Sequence, residues 1–393
     1  MQTLPGHRVL FHYPILHMGG AEKSTLRLMK ALADRGWQVT LVLTTGGGQL
    51  EADVDPRVEL VRLRPGSHGT RFLAARGTGA RLRALPDLLA YGTGRLIGAI
   101  RMLPFLWRRF DAAAVMIHSL DPFFVARVVH AARKFVWIRN DLKGIDPDGW
   151  IAAQLERYAG HIDHFVSVSG VSLQSLLEAV PGARGKARVI YNVLDAGGMR
   201  ALGQAGADPF PPRSSPEEVR ILTVGRLSDR DKAIFRLVDV ARLLKGRGLS
   251  FRWYLIGDGP DRRALEQRIA AADVADRVIL MGQSSNPFPA YRHADLVAMV
   301  SNHEGLCGVI NEAKVSGAAV LAVKVSGIDE QLQDGDNGWV IDNSEAAILE
   351  ALSDLIRSPE RVARVRNYRY PAAILDDGLK LDQIEALFMG RRP

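Results

Sequence analysis

Ala294-Asp295-Leu296-Val297-Ala298-Met299-Val300, running on through Ser301-Asn302-His303-Glu304-Gly305-Leu306 to Asn311-Glu312-Ala313, decides the fold class of this chain. An apolar run of strand length gives way to a turn carrying one carboxylate, and a helix carries a second carboxylate eight residues later. A strand followed by Glu-Gly and a helix puts both glutamates at the carboxyl end of a parallel sheet, where open α/β sheets bind their ligands. Carboxylates are poor partners for phosphates but accept hydrogen bonds from hydroxyls. Glu304 and Glu312 therefore suit the hydroxyls of a sugar or ribose, and cations are needed elsewhere if a phosphate is to be held.

Those cations lie upstream. Ile221-Leu222-Thr223-Val224-Gly225-Arg226-Leu227 repeats the order strand, glycine turn, helix, with a helical pattern from Lys232 through Val238, Ala241 and Leu244. Arg226 leaves the strand end and Lys232 is expected in the first turn of the helix, so both can meet one diphosphate. Cations at a helix start oppose the helix dipole, and an anion between them accounts for them better than two solvated side chains do.

Val-Gly-Arg-Leu with a lysine six residues past the arginine, Leu255-Ile256-Gly257-Asp258-Gly259-Pro260, and Glu304-Gly305 with Glu312, in that order and spacing, resemble the large retaining family four of glycosyltransferases. The resemblance spans essentially the whole chain, because Gly19-Gly20-Ala21-Glu22 matches a glycine turn that the family carries after its first strand. It implies an α/β protein of two Rossmann-like domains facing a cleft, the GT-B fold. Residues 1–196 would form the acceptor-binding domain and 218–370 the nucleotide-sugar-binding domain. The stretch 197–217, rich in Pro, Ser and Gly, reads as the linker. Residues 371–393 would supply a C-terminal helix that packs back on the first domain.

The implied activity is transfer of a hexose-type sugar, with retention, from a nucleoside diphosphate sugar to a glycan acceptor. UDP is expected ahead of GDP, and the acceptor is of lipid-linked, lipopolysaccharide or exopolysaccharide type. By resemblance, Glu304 stands against the donor sugar with a catalytic part, Glu312 takes the ribose hydroxyls, and Arg226 and Lys232 hold the diphosphate. Gly19, Gly20, Gly257, Gln283, Gly305 and Leu306 complete the donor site. The helix starting near Gly308 would point its N-terminus at the phosphates. His118, at the end of the apolar strand Ala112 to Ile117, and Asp141, after the next strand, are the candidates nearest the reacting centre, and Asp121 is a further acceptor contact.

Several of these assignments have plain structural alternatives. Gly257-Asp258-Gly259 serves equally as a close-packed turn, since Gly-x-Gly after a strand is common and the third glycine of a dinucleotide fingerprint is missing. Gly19-Gly20 also fits a simple strand-to-helix turn. Its Lys23-Ser24 does not make a Walker A loop, because Glu22 stands where that motif needs glycine. Ser301-Asn302 replaces the Pro-Ser frequent in the family, and Cys307 a usual Pro or Gly, which leaves the donor sugar open. Two other functions share these contacts: a nucleotide-sugar epimerase of the same fold, and a nucleotide-sugar-binding protein without catalysis.

At 393 residues, with 47% hydrophobic and 24% charged residues, the chain has the size and balance of two ordinary domains. The lone Cys307 excludes internal disulfides. Ten scattered histidines and one cysteine offer no metal-binding cluster, so no metal and no resident cofactor are expected. Arg8 to Tyr13 already reads as a strand, which leaves no secretory signal pattern at the start.

The net charge of +8 is unevenly placed: residues 1–195 carry 25 Lys and Arg against 16 Asp and Glu, residues 196–393 carry 26 against 27. Within 64–109, nine arginines (Arg64, Arg71, Arg76, Arg81, Arg83, Arg95, Arg101, Arg108 and Arg109) face one acid, Asp87, among leucines, isoleucines and aromatics. This basic amphipathic segment is too charged to cross a bilayer and suits an anionic membrane surface. No nucleic-acid motif accompanies it, and nucleic acid is not an expected partner. The expected location is cytoplasmic, peripheral to the inner face of the cell membrane.

Overall fold

Val9, Leu10 and Phe11 have no exposed surface, and neither have Ala112, Ala113, Ala114 and Val115. Runs buried on both faces are what a parallel sheet covered by helices requires. The computed structural model describes residues 6–64, 79, 85–302, 304, 306–366 and 370–391, and it divides the chain into two units, Met1–Val193 with Gly378–Pro393, and Leu194–Asp377.

The first unit holds seven strands: β1 (Arg8–Tyr13), β2 (Gln38–Thr45), β3 (Glu59–Arg64), β4 (Arg109–Val115), β5 (His130–Ile138), β6 (His164–Ser167) and β7 (Ala187–Val189). They pair in parallel in the order β3-β2-β1-β4-β5-β6-β7. The chain winds outward from β1 to β3, then returns to lay β4 on the other side of β1. The carboxyl ends of β1 and β4 therefore flank the point where the winding reverses. The helix Gly20–Asp34, after β1, buries Thr25, Leu28, Met29 and Leu32 at the three-and-four spacing of an amphipathic helix.

The helix Asp377–Phe388 belongs to this unit from Gly378 onward. Its Phe388 is 1% exposed, with ring centroids 4.9 Å from Phe135 and 5.6 Å from Trp37. Glu385 accepts from Trp37 Nε1 at 2.7 Å and pairs with Arg35 at 2.6 Å, while Asp382 meets the same guanidinium.

The second unit holds β8 (Val219–Val224), β9 (Phe251–Ile256), β10 (Val278–Gly282), β11 (Leu296–Met299), β12 (Ala319–Val323) and β13 (Trp339–Ile341). Again all are parallel, in the order β10-β9-β8-β11-β12-β13, with the reversal between β8 and β11. The three-residue β13 has no counterpart among the strands expected from sequence.

The stretch 197–217 does not behave as a linker throughout. Ala196–Ala205 is a helix begun by Asp195, whose side chain accepts from the Gly198 N–H, and it packs on the helix Phe288–His293. A Cβ on Gly206 would fall 2.2 Å from Pro289 Cγ, so the glycine there permits contact rather than freedom. The units accordingly divide at Val193/Leu194 and Asp377/Gly378. Asp377 marks that division, its carboxylate accepting from the Leu194 and Asp195 N–H groups at 3.0 and 2.7 Å.

Of the basic segment 64–109, Arg71, Arg76, Arg81 and Arg83 lie outside the described residues. The described part includes the helix Leu85–Met102 and the turn Leu103–Leu106, which expose Leu96, Ile100, Leu103 and Leu106 together with Arg95 and Arg101, and beyond the turn Trp107 and Arg109 are exposed as well. Among the described residues no helix is long and apolar enough to cross a membrane.

Phe388→Ala should destabilise the first unit by about 3–5 kcal/mol, the usual cost of removing a buried ring. Denaturant unfolding monitored by tryptophan fluorescence, with Trp37 and Trp137 beside the lost ring, is the measurement. A change below about 1 kcal/mol would mean that the terminal helix does not stabilise this unit.

Candidate functional site

β8 and β11 are bonded only through Leu296↔Ile221 and Val297↔Leu222. Beyond Leu222, the last two residues of β8 pair with β9 alone, as Thr223↔Leu255 and Val224↔Ile256. Thr223 closes the gap with its side chain: Oγ1 donates to the Ala298 carbonyl at 2.8 Å and accepts from Trp253 Nε1 at 3.0 Å. Where the ladder stops, a cavity of about 390 Å³, counted to its open mouth, lies between Thr223–Leu227 and Ala298–Ser301, with Lys232, Glu304 and Val309 on its wall.

Lys232 Nζ meets Glu304 Oε1 at 2.5 Å, with 25% and 13% of the side chains exposed. Burial pulls the ammonium down, but the Glu304 carboxylate together with Cys307 and Asp231 outweighs it and the net shift is upward, so Lys232 stays charged. Its location differs from the expected first turn of a long helix. Lys232 ends a one-turn helix, Asp229–Lys232, and Ala233 with φ 49° then redirects the backbone into the helix Ile234–Gly246. The left-handed residue breaks the axis, so Lys232 faces the cavity while Ile234, Leu237 and Val238 enter the core.

Asn302 holds the two halves together, and its role was not visible in the sequence. Its Nδ2 donates to the Arg230 carbonyl at 3.0 Å and its backbone N–H to the Asp231 carbonyl at 2.9 Å, tying the turn after β11 to the turn that carries Lys232. Arg226 lines the cavity, is exposed, and makes no ion pair among the described residues. Gly305 lies outside the described residues, and Leu306 is nearly buried.

The helix Gly308–Val315 starts beside this wall, with Gly308 exposed and its Cβ direction open. Buried Gln331 fixes the turn before it, accepting from the Cys307 N–H and donating to the Cys307 carbonyl, both at 2.9 Å. Burial, then the nearby Glu304 charge, push the Cys307 thiol up to about 12, so it stays protonated and unreactive. Glu312, in the same helix, accepts from the hydroxyl of fully buried Tyr291 at 3.1 Å.

Gly257 does not line the cavity. With φ +153°, a Cβ there would stand 1.8 Å from the Gly225 carbonyl oxygen, so this glycine lets the two strand-end turns pack backbone to backbone. Gln283 is exposed just beyond β10.

In the first unit, Gly19 precedes the helix Gly20–Asp34, and a Cβ on Gly19 would lie 2.3 Å from Glu22 Oε2. A carboxylate thus already sits at the helix N-terminus that the glycine turn was expected to offer to the donor site. His118 lies in the turn after β4, 2% exposed, with Nδ1 accepting from the Arg139 backbone N–H at 3.1 Å. Burial, then the Arg139 charge, lower it to about 4 against an opposing contribution from Asp146. Asp141 caps the one-turn helix Leu142–Ile145 by accepting from Lys143 N at 3.0 Å, and Asp121 accepts from Phe123 N at 2.8 Å. Among the described residues no three His, Cys, Asp or Glu side chains are grouped to hold a metal ion.

Residues 206–371 match the family described as Glycosyl transferases group 1, and residues 18–197 match Glycosyltransferase Family 4. The chain is 23% identical over 336 residues to the lipopolysaccharide core biosynthesis glycosyltransferase LpsE of Rhizobium meliloti, covering 85% of this chain and 84% of that one. It is 25% identical over 375 residues to a 2-deoxystreptamine N-acetyl-D-glucosaminyltransferase of Streptomyces fradiae, covering 88% and 84%. Among solved structures, Anabaena Alr3699/HepE in complex with UDP superposes with a TM-score of 0.71 at 18% identity, covering 98% and 100% of the two chains. Staphylococcus aureus TarM does so with 0.72 at 13% identity, covering 99% and 100%. Two doubly wound parallel units, each matched by a glycosyltransferase family model, identify the chain as a glycosyltransferase of the group 1, family-four type with the GT-B fold.

Proposed function

We propose that the protein transfers a hexose-type sugar from a UDP-sugar to a glycan acceptor of lipopolysaccharide or exopolysaccharide type, with retention at the anomeric carbon. The observation that carries this reading is the Lys232–Glu304 pair in the crevice where β8 and β11 part, beside Arg226. A cation for phosphate and a carboxylate for hydroxyls, in contact at one strand-end crevice, are the two chemistries that a nucleotide sugar presents together. The named relatives favour this class: LpsE acts in lipopolysaccharide core biosynthesis, and HepE has been solved with UDP and with UDP-glucose.

Arg226, Lys232 and the N-terminus of the helix Gly308–Val315 would stabilise the charge on the departing diphosphate without a metal. Glu304 would accept from donor-sugar hydroxyls, and Glu312, held by Tyr291, from the ribose. In the first unit, His118 and Asp141 are assigned to the sugar and the acceptor. The bond from the anomeric carbon to the diphosphate breaks while the bond to the acceptor oxygen forms on the same face. The acceptor proton passes to the leaving phosphate oxygen, so no enzymic nucleophile is needed. The exposed apolar and arginine side chains of 95–109 would rest on an anionic membrane at the cytoplasmic face.

A panel of UDP-, GDP- and ADP-sugars, assayed with EDTA present and with proton NMR of the product, tests the reaction. The expected outcome is turnover of a UDP-sugar that gives the anomer of the donor; inversion, or release of an epimerised sugar without transfer, defeats it. Lys232→Ala should weaken UDP binding by roughly ten- to a hundredfold, the loss of a charged hydrogen bond. Glu304→Gln should keep UDP affinity and lose transfer, and calorimetry showing the reverse pattern would exchange the two roles. Trp107→Ser with Arg101→Ser and Arg109→Ser should release the protein from sedimenting vesicles of anionic lipid; unchanged sedimentation would defeat the membrane assignment.

A further inference from the structure

The donor-site reading leaves several buried cations unused, Arg139 among them. Arg139 follows β5, and its residue is 6% exposed. A buried guanidinium must find acceptors for its N–H groups, and a carboxylate is the usual one. The hydrogen bonds of Arg139 go to neutral oxygens, while the Glu22 carboxylate and Tyr13 act on its charge: Nε donates to the Met116 carbonyl at 3.0 Å, Nη1 to Asn192 Oδ1 at 2.7 Å and Ser24 Oγ at 3.1 Å, and Nη2 to Thr25 Oγ1 at 2.9 Å. Thr25 donates its own proton to the Ala21 carbonyl at 2.8 Å, which leaves its oxygen free to accept. These partners come from the turn after β4, the helix after β1 and the segment after β7. One side chain thus gathers the carboxyl-end connections around the point where the first sheet reverses.

The backbone of the same residue fixes His118. The Arg139 N–H donates to His118 Nδ1 at 3.1 Å. A backbone amide only donates, so Nδ1 presents its lone pair and the neutral ring carries its proton on Nε2. The charged groups that act on this ring are Arg139, which disfavours the imidazolium, and Asp146, which favours it, and burial adds to the first. Among the described residues Nε2 has no hydrogen-bond partner, and it is not one of the sealed, unpartnered atoms, as His12 Nδ1 is.

We propose that Arg139 is a positioning residue that holds His118 as a neutral Nε2–H donor for a substrate oxygen, so that His118 gives a hydrogen bond during transfer and takes no proton. The proposal rests on His118 being a site residue, and it deepens the mechanism above. With the Nδ1 lone pair engaged and Nε2 protonated, the ring has no free lone pair with which to act as a base. The acceptor proton must then leave by another group, and the departing phosphate oxygen remains for it.

Long-range proton–nitrogen correlation spectra of the full chain labelled with nitrogen-15 histidine test the tautomer, with His118→Gln identifying the signals. The expected pattern is a pyridine-type Nδ1 and a protonated Nε2, unchanged between about pH 5.5 and 8. A protonated Nδ1, or a titration near the ordinary histidine value, overturns the proposal. Arg139→Gln should raise the His118 midpoint by about one pH unit, move the acid limb of kcat the same way, and lower kcat roughly tenfold with the donor KM within about twofold. Arg139→Lys should restore part of each. A lower melting temperature with no movement of the midpoint or the acid limb would make Arg139 merely structural. If Arg139→Gln does not fold, Asn192→Ala and Ser24→Ala each remove one acceptor and should shift the midpoint in the same direction by less; no shift in either overturns the positioning role. The spectra of the unmodified protein need no turnover. Failure to transfer from any donor would therefore defeat the proposed reaction and leave the tautomer result to stand or fall separately.

Discussion

The site depends on where one parallel ladder stops. β8 and β11 share only two residue pairs, after which β8 continues with β9 and β11 with β12. In a sheet wound outward from its centre in both directions, these adjacent strands send their following segments to opposite faces. Had the ladder continued, backbone would fill the space between Gly225-Arg226 and the turn that carries Glu304. Because it ends, with the Thr223 hydroxyl satisfying the Ala298 carbonyl, two chain segments 72 positions apart can bring a lysine and a glutamate to 2.5 Å.

Much of this was legible because burial on both faces leaves a continuous apolar run, as at 221–224 and 294–300, each with its following turn. Glu304, Arg226 and Lys232 could be read because each stands a fixed number of residues past a strand end. The particular turn that presents Lys232 could not, since it depends on Ala233 at φ 49°, and an alanine carries no signal for a left-handed residue. Asn302 was noticed only as a departure from the family pattern. Its function lies in carbonyls at 230 and 231, and no local pattern reveals a contact across that separation.

Glycine was the most ambiguous residue. Gly257 and Gly259 read equally well as a ligand contact or a close-packed turn, and a Cβ at either would collide with the backbone of Gly225 or Leu227, so both serve packing. Gly203 and Gly206 suggested a loose linker and instead allow a helix to lie against Phe288 and Pro289. Sequence shows that a side chain is absent at these positions; only the fold shows whether ligand, backbone or solvent uses the space. β13 went unread for a different reason, since three residues are too few to establish a period.

Lys232 and Arg139 satisfy their charges in different ways, and the difference separates binding from shape. Lys232 is kept charged against the cost of burial chiefly by the Glu304 carboxylate that it contacts. Under the proposed function that partnership would be exchangeable: a diphosphate would offer the lysine an equivalent anion, and sugar hydroxyls would offer Glu304 equivalent donors, so neither charge would be left buried and unpaired. Arg139 is held by neutral oxygens from three separate segments, and no single ligand replaces them. The Glu22 carboxylate and Tyr13 act on this charge as well, and part of the guanidinium's field falls on His118, which it helps to keep neutral. A cation with one replaceable partner is suited to binding substrate, whereas one whose partners are built into several connections can only set the form and protonation of the groups around it.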